Sequence, residues 1–174
     1  MFLTTWAMLL LTAVATATDV RNRKIYNWTT YPGILLGLAL QWATRGWEGA
    51  EDGLWGFFAC GGLMLVCFVF FPDLGGGDVK LLAMLGAGLG AEDGILATLW
   101  TFVIGFFAGL AMLIWRMGAV GLVREAVQRA REAIVLRGRL QPEEAPEPIQ
   151  RWLFLAPAAL VAVVIVRWEV LWPL

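Results

Sequence analysis

Six apolar runs, separated by short polar or glycine-rich segments, limit the folds open to this chain more than any other feature. They cover residues 1–18, 29–44, 53–71, 79–90, 94–115 and 152–172. A helix of about 20 apolar residues crosses a hydrocarbon core of about 30 Å. With 60% of its residues hydrophobic and only 16% charged, the chain has the composition of an integral membrane protein. We therefore predict an all-α fold with six transmembrane helices, forming a single domain over residues 1–174.

The basic residues predict how these helices are oriented. All of the lysines and arginines except Arg45 and Arg167 fall in or beside loops 19–28, 72–78 and 116–151. Loops rich in lysine and arginine stay in the cytoplasm. We therefore expect these three loops inside and both termini outside.

Residues 116–151 have a pattern of their own. Apolar residues recur there at steps of three and four, at Val120, Val123, Val127, Ala130 and Ile134, with charged residues between them. This spacing predicts an amphipathic helix on the inner leaflet, whose arginines are attracted to anionic membrane lipid. Docking of a partner protein is the alternative. An acidic, proline-rich linker at 142–148 follows the predicted helix.

The composition also excludes several chemistries. The chain has no histidine, which removes Ser–His and Cys–His nucleophile pairs and the His-Glu-x-x-His zinc motif. Its two cysteines, Cys60 and Cys67, lie in one apolar run. On a helix they are roughly 10 Å apart along the axis, too far for a disulfide, and two are too few for a structural zinc site. We expect no metal, no cofactor and no nucleic-acid partner.

Two aspartates are predicted to lie at the same cytoplasmic depth. Asp78 follows Gly75, Gly76 and Gly77, and Asp19 ends the first apolar run. An acidic residue beside a membrane segment is a candidate functional residue, and two close carboxylates share a proton. One can then activate water while the other protonates a scissile carbonyl, as in aspartic proteases. The alternatives are a capping Asp78 in a flexible loop and an Asp19 that pairs only with a nearby arginine.

The helix dipole suggests roles for the two carboxyl groups. Asp78 is predicted to begin a helix, whose positive end favours the ionised form, and Asp19 to end one, whose negative end favours the protonated form. Lys80 adds to the stabilisation of the Asp78 charge. On this hypothesis Asp78 is the base.

These segments resemble those of type IV prepilin peptidases. Asp19, followed by Arg21, Arg23 and Ile25-Tyr26-Asn27, resembles the first active-site segment of that family. The stretch Gly75-Gly76-Gly77-Asp78-Val79-Lys80 resembles its Gly-x-Gly-Asp segment. The resemblance implies that Asp19 and Asp78 are catalytic and that Gly75, Gly76, Gly77, Lys80, Arg21 and Asn27 support them. Tyr26 stands where the family usually has proline, which puts the backbone shape of this loop in question.

The resemblance also implies a substrate and a location. It indicates a peptidase of the bacterial inner membrane that cleaves the positively charged leader of a prepilin or pseudopilin at the cytoplasmic face. The chain lacks the Cys-x-x-Cys loop of longer members and resembles the short, peptidase-only branch of tight-adherence (Flp-type) pilus systems, so cleavage without N-methylation is expected. Asp73 is interpreted as structural, and the oligomeric state is left open.

Two other functions are consistent with the sequence. A presenilin-like intramembrane protease also carries Gly-x-Gly-Asp, although its first aspartate follows a tyrosine, whereas Thr18 precedes Asp19 here. A non-catalytic, ion-coupled membrane carrier or assembly factor would use the two aspartates as a proton site. A cleavage assay separates the carrier from the peptidase.

Overall fold

A computed structural model describes residues 2–70, 75–135 and 155–171 of the chain. Every regular element in these residues is a helix, which confirms the prediction of an all-α protein. The helices, numbered in chain order, are α1 (Phe2–Asn22), α2 (Asn27–Phe70), α3 (Gly76–Leu89), α4 (Ala91–Val135), α5 (Leu155–Val166) and α6 (Trp168–Leu171).

The chain forms two compact units. The first contains Met1–Gly105 and Phe154–Leu174, and it holds both aspartates. The second, Phe106–Leu153, contains the later part of α4, whose helical backbone continues to Val135. A helix was predicted in that stretch, and its amphipathic character stays a prediction. The acidic linker at 142–148 lies outside the described residues.

Helix α3 is the buried element around which the first unit packs. Residues 81–90 are all buried, among them Leu81, Met84 and Leu85 with no exposed surface. Glycines allow the neighbouring helix α2 to come close: an ideal Cβ on Gly37 would lie only 2.9 Å from the Gly88 Cα. The backbone of α3 is thereby held against α2, and the position of its first turn is fixed by the rest of the helix.

Residues 45–52, the polar segment between the apolar runs 29–44 and 53–71, were expected to form a loop outside the membrane. That expectation is wrong, because the chain there is helical apart from one residue. Gly46 has φ 63° and ψ −143° and interrupts α2. Glycine adopts such a positive φ without the steric cost that a side chain brings, so a single residue is enough to redirect the chain. Two of the four charged residues that suggested a loop instead pair across the break, Arg45 with Asp52 at 2.7 Å.

The two basic residues predicted to lie outside are both ion-paired. Besides the Arg45 pair, the buried Arg167 guanidinium lies 2.7 Å from the Asp93 carboxylate and donates to the Leu89 carbonyl oxygen at 2.9 Å. Charges satisfied by partners of opposite sign are compatible with a position near a membrane surface. These pairs explain why Arg45 and Arg167 depart from the distribution of the other cations.

Three described helices are long and apolar enough to cross a membrane: Phe2–Asn22, Asn27–Phe70 and Ala91–Met112. At about 1.5 Å per residue, the 44 residues of α2 extend roughly 66 Å, twice the thickness of a hydrocarbon core. Helix α2, broken at Gly46, is therefore long enough for two crossings. The shorter apolar helices α3 and α5 have 14 and 12 residues. The count of six spans stays a prediction.

The predicted topology can be tested by labelling. Single cysteines that replace Glu48 and Gln141, in a background where Cys60 and Cys67 are alanine, are expected to react from opposite sides of the membrane. The charge distribution places residue 48 outside and residue 141 in the cytoplasm. The measurement is modification by an impermeant maleimide in intact cells and in inverted vesicles. Labelling of both sites in intact cells would overturn the six-helix topology.

Candidate active site

Asp19 is held on the last turn of α1 by backbone contacts. The N–H of Arg23 donates to the Asp19 carbonyl oxygen at 2.7 Å, and Arg23 itself has a φ of 52°. The carboxyl group of Asp19 accepts a backbone hydrogen bond from Ala156. Nearby, the Thr16 hydroxyl donates to the Ala156 carbonyl oxygen at 3.0 Å. The carboxyl group is thus fixed between the end of α1 and the beginning of α5.

Asp78 lies in the first turn of α3, where its backbone and side chain both bind Gly75. The Asp78 N–H donates to the Gly75 carbonyl oxygen at 3.0 Å, and the Gly75 N–H donates to the Asp78 Oδ2 at 3.3 Å. Such a reciprocal arrangement closes the first turn of a helix and fixes the direction of its side chain. The predicted start of a helix at this aspartate is therefore confirmed.

The structure brings the two aspartates to one cleft. This cleft has a volume of about 330 Å³ and lies where the connection between α1 and α2 meets the start of α3. Its lining residues are Asp19, Arg23, Lys24, Ile25, Tyr26, Asn27, Gly75, Gly77 and Asp78. The juxtaposition predicted from the shared cytoplasmic depth of Asp19 and Asp78 is thus what the structure contains.

The pKa of Asp78 is raised to about 7. Burial is the largest cause, the negative charge of Asp19 raises the pKa further, and the hydrogen bond from Gly75 lowers it. The expectation that the helix dipole keeps Asp78 ionised is therefore wrong. A helix terminus contributes about 0.3–1 kcal/mol, less than the 1.36 kcal/mol that corresponds to one pKa unit. Below about pH 7 Asp78 therefore holds a proton, and the neighbouring Asp19 supplies the negative charge that helps to raise its pKa.

This proton location has a measurable consequence. In infrared spectra of the wild-type protein, the C=O stretching band of a protonated carboxyl group is expected to disappear as the pH rises through about 7. The reason is that a raised pKa keeps Asp78 protonated below that pH. Asp78→Asn should remove this titration. Asp19→Asn should shift it to lower pH, because the neighbouring negative charge is gone. Isotope-edited infrared spectra provide the measurement. If Asp78→Asn kept a carboxyl group that titrates near pH 7, the proton would belong to Asp19.

The three glycines before Asp78 are not equivalent in the structure. An ideal Cβ on Gly77 would lie 3.0 Å from the Ile25 Cβ, and one on Gly75 would lie 3.0 Å from the Asp78 Oδ2. A Cβ on Gly76 would meet no atom within 4 Å. Close packing therefore favours glycine at Gly77 and at Gly75, where a side chain would displace its neighbour by a few tenths of an ångström, whereas Gly76 is exposed and has room for a side chain.

The remaining residues expected to support the site have different positions. Lys80 Nζ donates to the Asn27 Oδ1 at 2.9 Å and lies 5.1 Å from the centroid of the Tyr31 ring. Lys80 thus binds Asn27. Within the described residues 75–135, the structure gives no contact between Lys80 and the Asp78 carboxyl group of the kind expected from the sequence. Arg21 is exposed on the last turn of α1 and is absent from the described residues that line the cleft.

Tyr26 shapes the connection between α1 and α2. Its hydroxyl oxygen accepts a hydrogen bond from the Asn22 Nδ2 at 3.3 Å, and its carbonyl oxygen accepts the N–H groups of Thr29 and Thr30 at 3.1 and 3.4 Å. These bonds join the end of α1 to the first turn of α2. Hydrogen bonds of Tyr26 therefore order this loop, at the position where type IV prepilin peptidases usually have proline.

Sequence reasoning missed several residues at this site. Lys24 lines the cleft and was not named as a site residue, and Ile25 and Tyr26, which also line it, were named only as part of the resembling segment and given no role. Their closeness to Asp19 along the chain was the signal that could have assigned them to the site. Ala156 also reaches Asp19, but more than 130 residues of sequence separate the two. No local pattern around residue 156 could have shown that contact.

A family model described as the type IV leader peptidase family matches residues 6–110, more than half of the chain. The matched stretch contains α2 and α3 entirely and α1 from residue 6 onward, and with them Asp19 and Asp78. The chain belongs to the type IV leader peptidase family. Searches among curated proteins and among solved structures gave no match.

Membership of the type IV leader peptidase family identifies the protein as a protease of the membrane. The match ends at residue 110, so it includes the whole cleft and leaves out the later part of α4. All described residues that line the cleft therefore lie within the segment that matches the family model. Asp73, the third acidic residue near the glycines, lies outside the described residues.

Proposed function

We propose that this leader peptidase is a membrane aspartyl endopeptidase, with Asp19 and Asp78 as its catalytic pair. The observation that carries the proposal is that the two carboxyl groups line one cleft, where burial and then the charge of Asp19 raise the pKa of Asp78 to about 7. A pair that holds one proton near neutral pH can supply a base and an acid at once. The family match independently supports peptide hydrolysis.

The proposed reaction has two stages, each with two proton transfers. The Asp19 carboxylate takes a proton from water, the water oxygen attacks the scissile carbonyl carbon, and Asp78 gives its proton to the carbonyl oxygen. This produces a tetrahedral gem-diol. When its C–N bond breaks, Asp19 gives its proton to the departing amine nitrogen, and Asp78 recovers a proton from a gem-diol hydroxyl. Both carboxyl groups return to their starting states.

The proposed substrate is a prepilin or pseudopilin with a positively charged leader, cleaved at the cytoplasmic face of the bacterial inner membrane. The distribution of lysine and arginine supports the orientation, since Asp19 and Asp78 flank the loops predicted to be cytoplasmic. No Cys-x-x-Cys pair occurs in the chain, which supports cleavage without N-methylation of the new N-terminus.

The test is cleavage of a purified prepilin by the protein reconstituted in lipid. Mass spectrometry is expected to find a mature product that begins directly after the basic leader and stays unmethylated in the presence of a methyl donor. A cut within the apolar helix of the substrate would favour a presenilin-like protease. An intact substrate, with the protein folded in the bilayer, would favour the ion-coupled carrier or assembly factor.

A further inference from the structure

We propose that Lys80 is a positioning residue that holds the Asp19 side of the cleft against the Asp78 side; for its effect on activity, this inference depends on the proposed function. The connection Arg23–Tyr26, here called the dyad loop, follows Asp19 and leads into Asn27. Lys80 follows Asp78 by two residues. A bond between Lys80 and Asn27 therefore joins the beginning of α2 to the first turns of α3.

The Lys80 contact joins distant parts of the chain. Its ammonium group donates to the Asn27 Oδ1 at 2.9 Å and lies 5.1 Å from the Tyr31 ring centroid. Asn27 and Tyr31 are both at the beginning of α2, four residues apart and therefore on one face of that helix. The amide oxygen and the aromatic face both attract a cation, so the side chain of Lys80 has a defined position.

A second contact lies on the other side of Asp78. There the Ile25 side chain covers Gly77, so closely that an ideal Cβ on Gly77 would be 3.0 Å from the Ile25 Cβ. The dyad loop is thus in contact with α3 just before Asp78 and is joined to it, through Asn27, just after Asp78. Two attachment points fix the loop along α3, whereas one would allow it to pivot.

The dyad loop in turn carries Asp19. The Arg23 N–H donates to the Asp19 carbonyl oxygen at 2.7 Å, which fixes the first residue of the loop to the last turn of α1. A closed series of contacts therefore runs from Asp19 through Arg23 and Asn27 to Lys80 and Asp78. Removing the Lys80 bond opens this series and leaves the separation of the two carboxyl groups less well defined.

A double-mutant cycle tests this role through activity. Lys80→Met removes the donor and the charge, and we expect kcat to fall by about tenfold to a hundredfold, as misplacement of a reacting group does, with little change in KM. Lys80→Arg, which keeps a donor and a cation, should restore most of the rate. Asn27→Leu added to Lys80→Met should cause no further loss, because both remove one interaction. Fully additive losses would overturn the proposal.

The pH profile separates positioning from direct electrostatic support of Asp78. If Lys80 only positions the loop, the pH above which activity falls should stay near the wild-type value in Lys80→Met. If Lys80 stabilised the Asp78 carboxylate, loss of its positive charge would move that pH upward. An upward shift in Lys80→Met, absent when a cation outside the cleft is removed in Arg45→Gln, would contradict the positioning role.

A cross-linking measurement needs no substrate. An ideal Cβ on Gly77 lies 3.0 Å from the Ile25 Cβ. Cysteines at these two positions, with Cys60 and Cys67 changed to alanine, therefore need to separate by only roughly half an ångström to reach the Cβ spacing of about 3.5–4.5 Å found in disulfides. Lys80→Met should slow their oxidative cross-linking several-fold, and Glu48→Gln should leave it unchanged. Slower cross-linking would support the positioning role of Lys80 even if no prepilin were cleaved. An unchanged rate in Lys80→Met would overturn it, whatever the protein hydrolyses.

Discussion

Asp19→Asn and Asp78→Asn are each expected to lower the rate of prepilin cleavage by roughly 10²–10⁴-fold, the range contributed by a positioned acid or base. Each amide keeps the size of the carboxyl group but can neither accept nor give the proton that the pair exchanges. Because the two groups act as a unit, the double variant should be little slower than either single one. Cleavage rates of reconstituted protein, normalised to the folded amount, provide the measurement.

Asp73→Asn is the control for this prediction, since it changes a third acidic residue near the same glycines. It should keep substantial activity. All variants should insert and accumulate as the wild type does, because an Asp-to-Asn change preserves volume. An inactive Asp73→Asn together with an active Asp19→Asn would show that the catalytic pair had been wrongly assigned.

The sequence predicts the meeting of Asp19 and Asp78 for a physical reason. A membrane restricts each polar boundary of a helix to one of two depths, so the charge distribution alone placed both carboxyl groups at the same surface. The glycines before Asp78 added a second indication, since they mark a close approach of backbone. The structure contains this arrangement in a cleft formed by the end of α1 and the beginning of α3.

The break in α2 shows where sequence reasoning failed. Four charged residues between apolar runs suggested a loop at 45–52, but a pair such as Arg45 and Asp52 can be neutralised at 2.7 Å while the backbone remains helical. A single glycine with a positive φ then replaces the whole expected loop. Charge along a sequence indicates contact with polar surroundings, and it does not reveal whether the partner is water or another side chain.

The location of the proton was also beyond the reach of the sequence. The dipole argument considered only the helix that carries each aspartate. The pKa of Asp78 depends more on burial and on the charge of Asp19, and both are properties of the assembled cleft. Likewise, Lys80 lies two residues from Asp78 in the sequence, yet it binds Asn27, which precedes it by 53 residues. Proximity along a chain is a poor guide to side-chain pairing at the start of a helix.

The second prediction concerns the rate of cleavage after alanine substitutions at Gly77 and Gly76, two of the glycines before Asp78. Gly77→Ala is expected to slow cleavage by up to roughly tenfold, because Ile25 must give way by a few tenths of an ångström, less than the misplacement of about 1 Å that can cost about a hundredfold. Its new methyl group would lie 3.0 Å from the Ile25 Cβ. Since α3 is fixed by its buried residues, Ile25 and the dyad loop must move away from Asp78.

Gly76→Ala is the control, because it introduces the same methyl group one residue earlier, in the same helix, with no atom within 4 Å of the new carbon. Its activity should remain within about twofold of wild type, and its stability should rise by about 0.4–1 kcal/mol, since alanine restricts the unfolded chain more than glycine does. Cleavage rates and thermal unfolding in detergent measure the two effects. Equal losses of activity in both variants would mean that the glycines act through backbone flexibility, and that the contact between Ile25 and Gly77 does not set the distance between the aspartates.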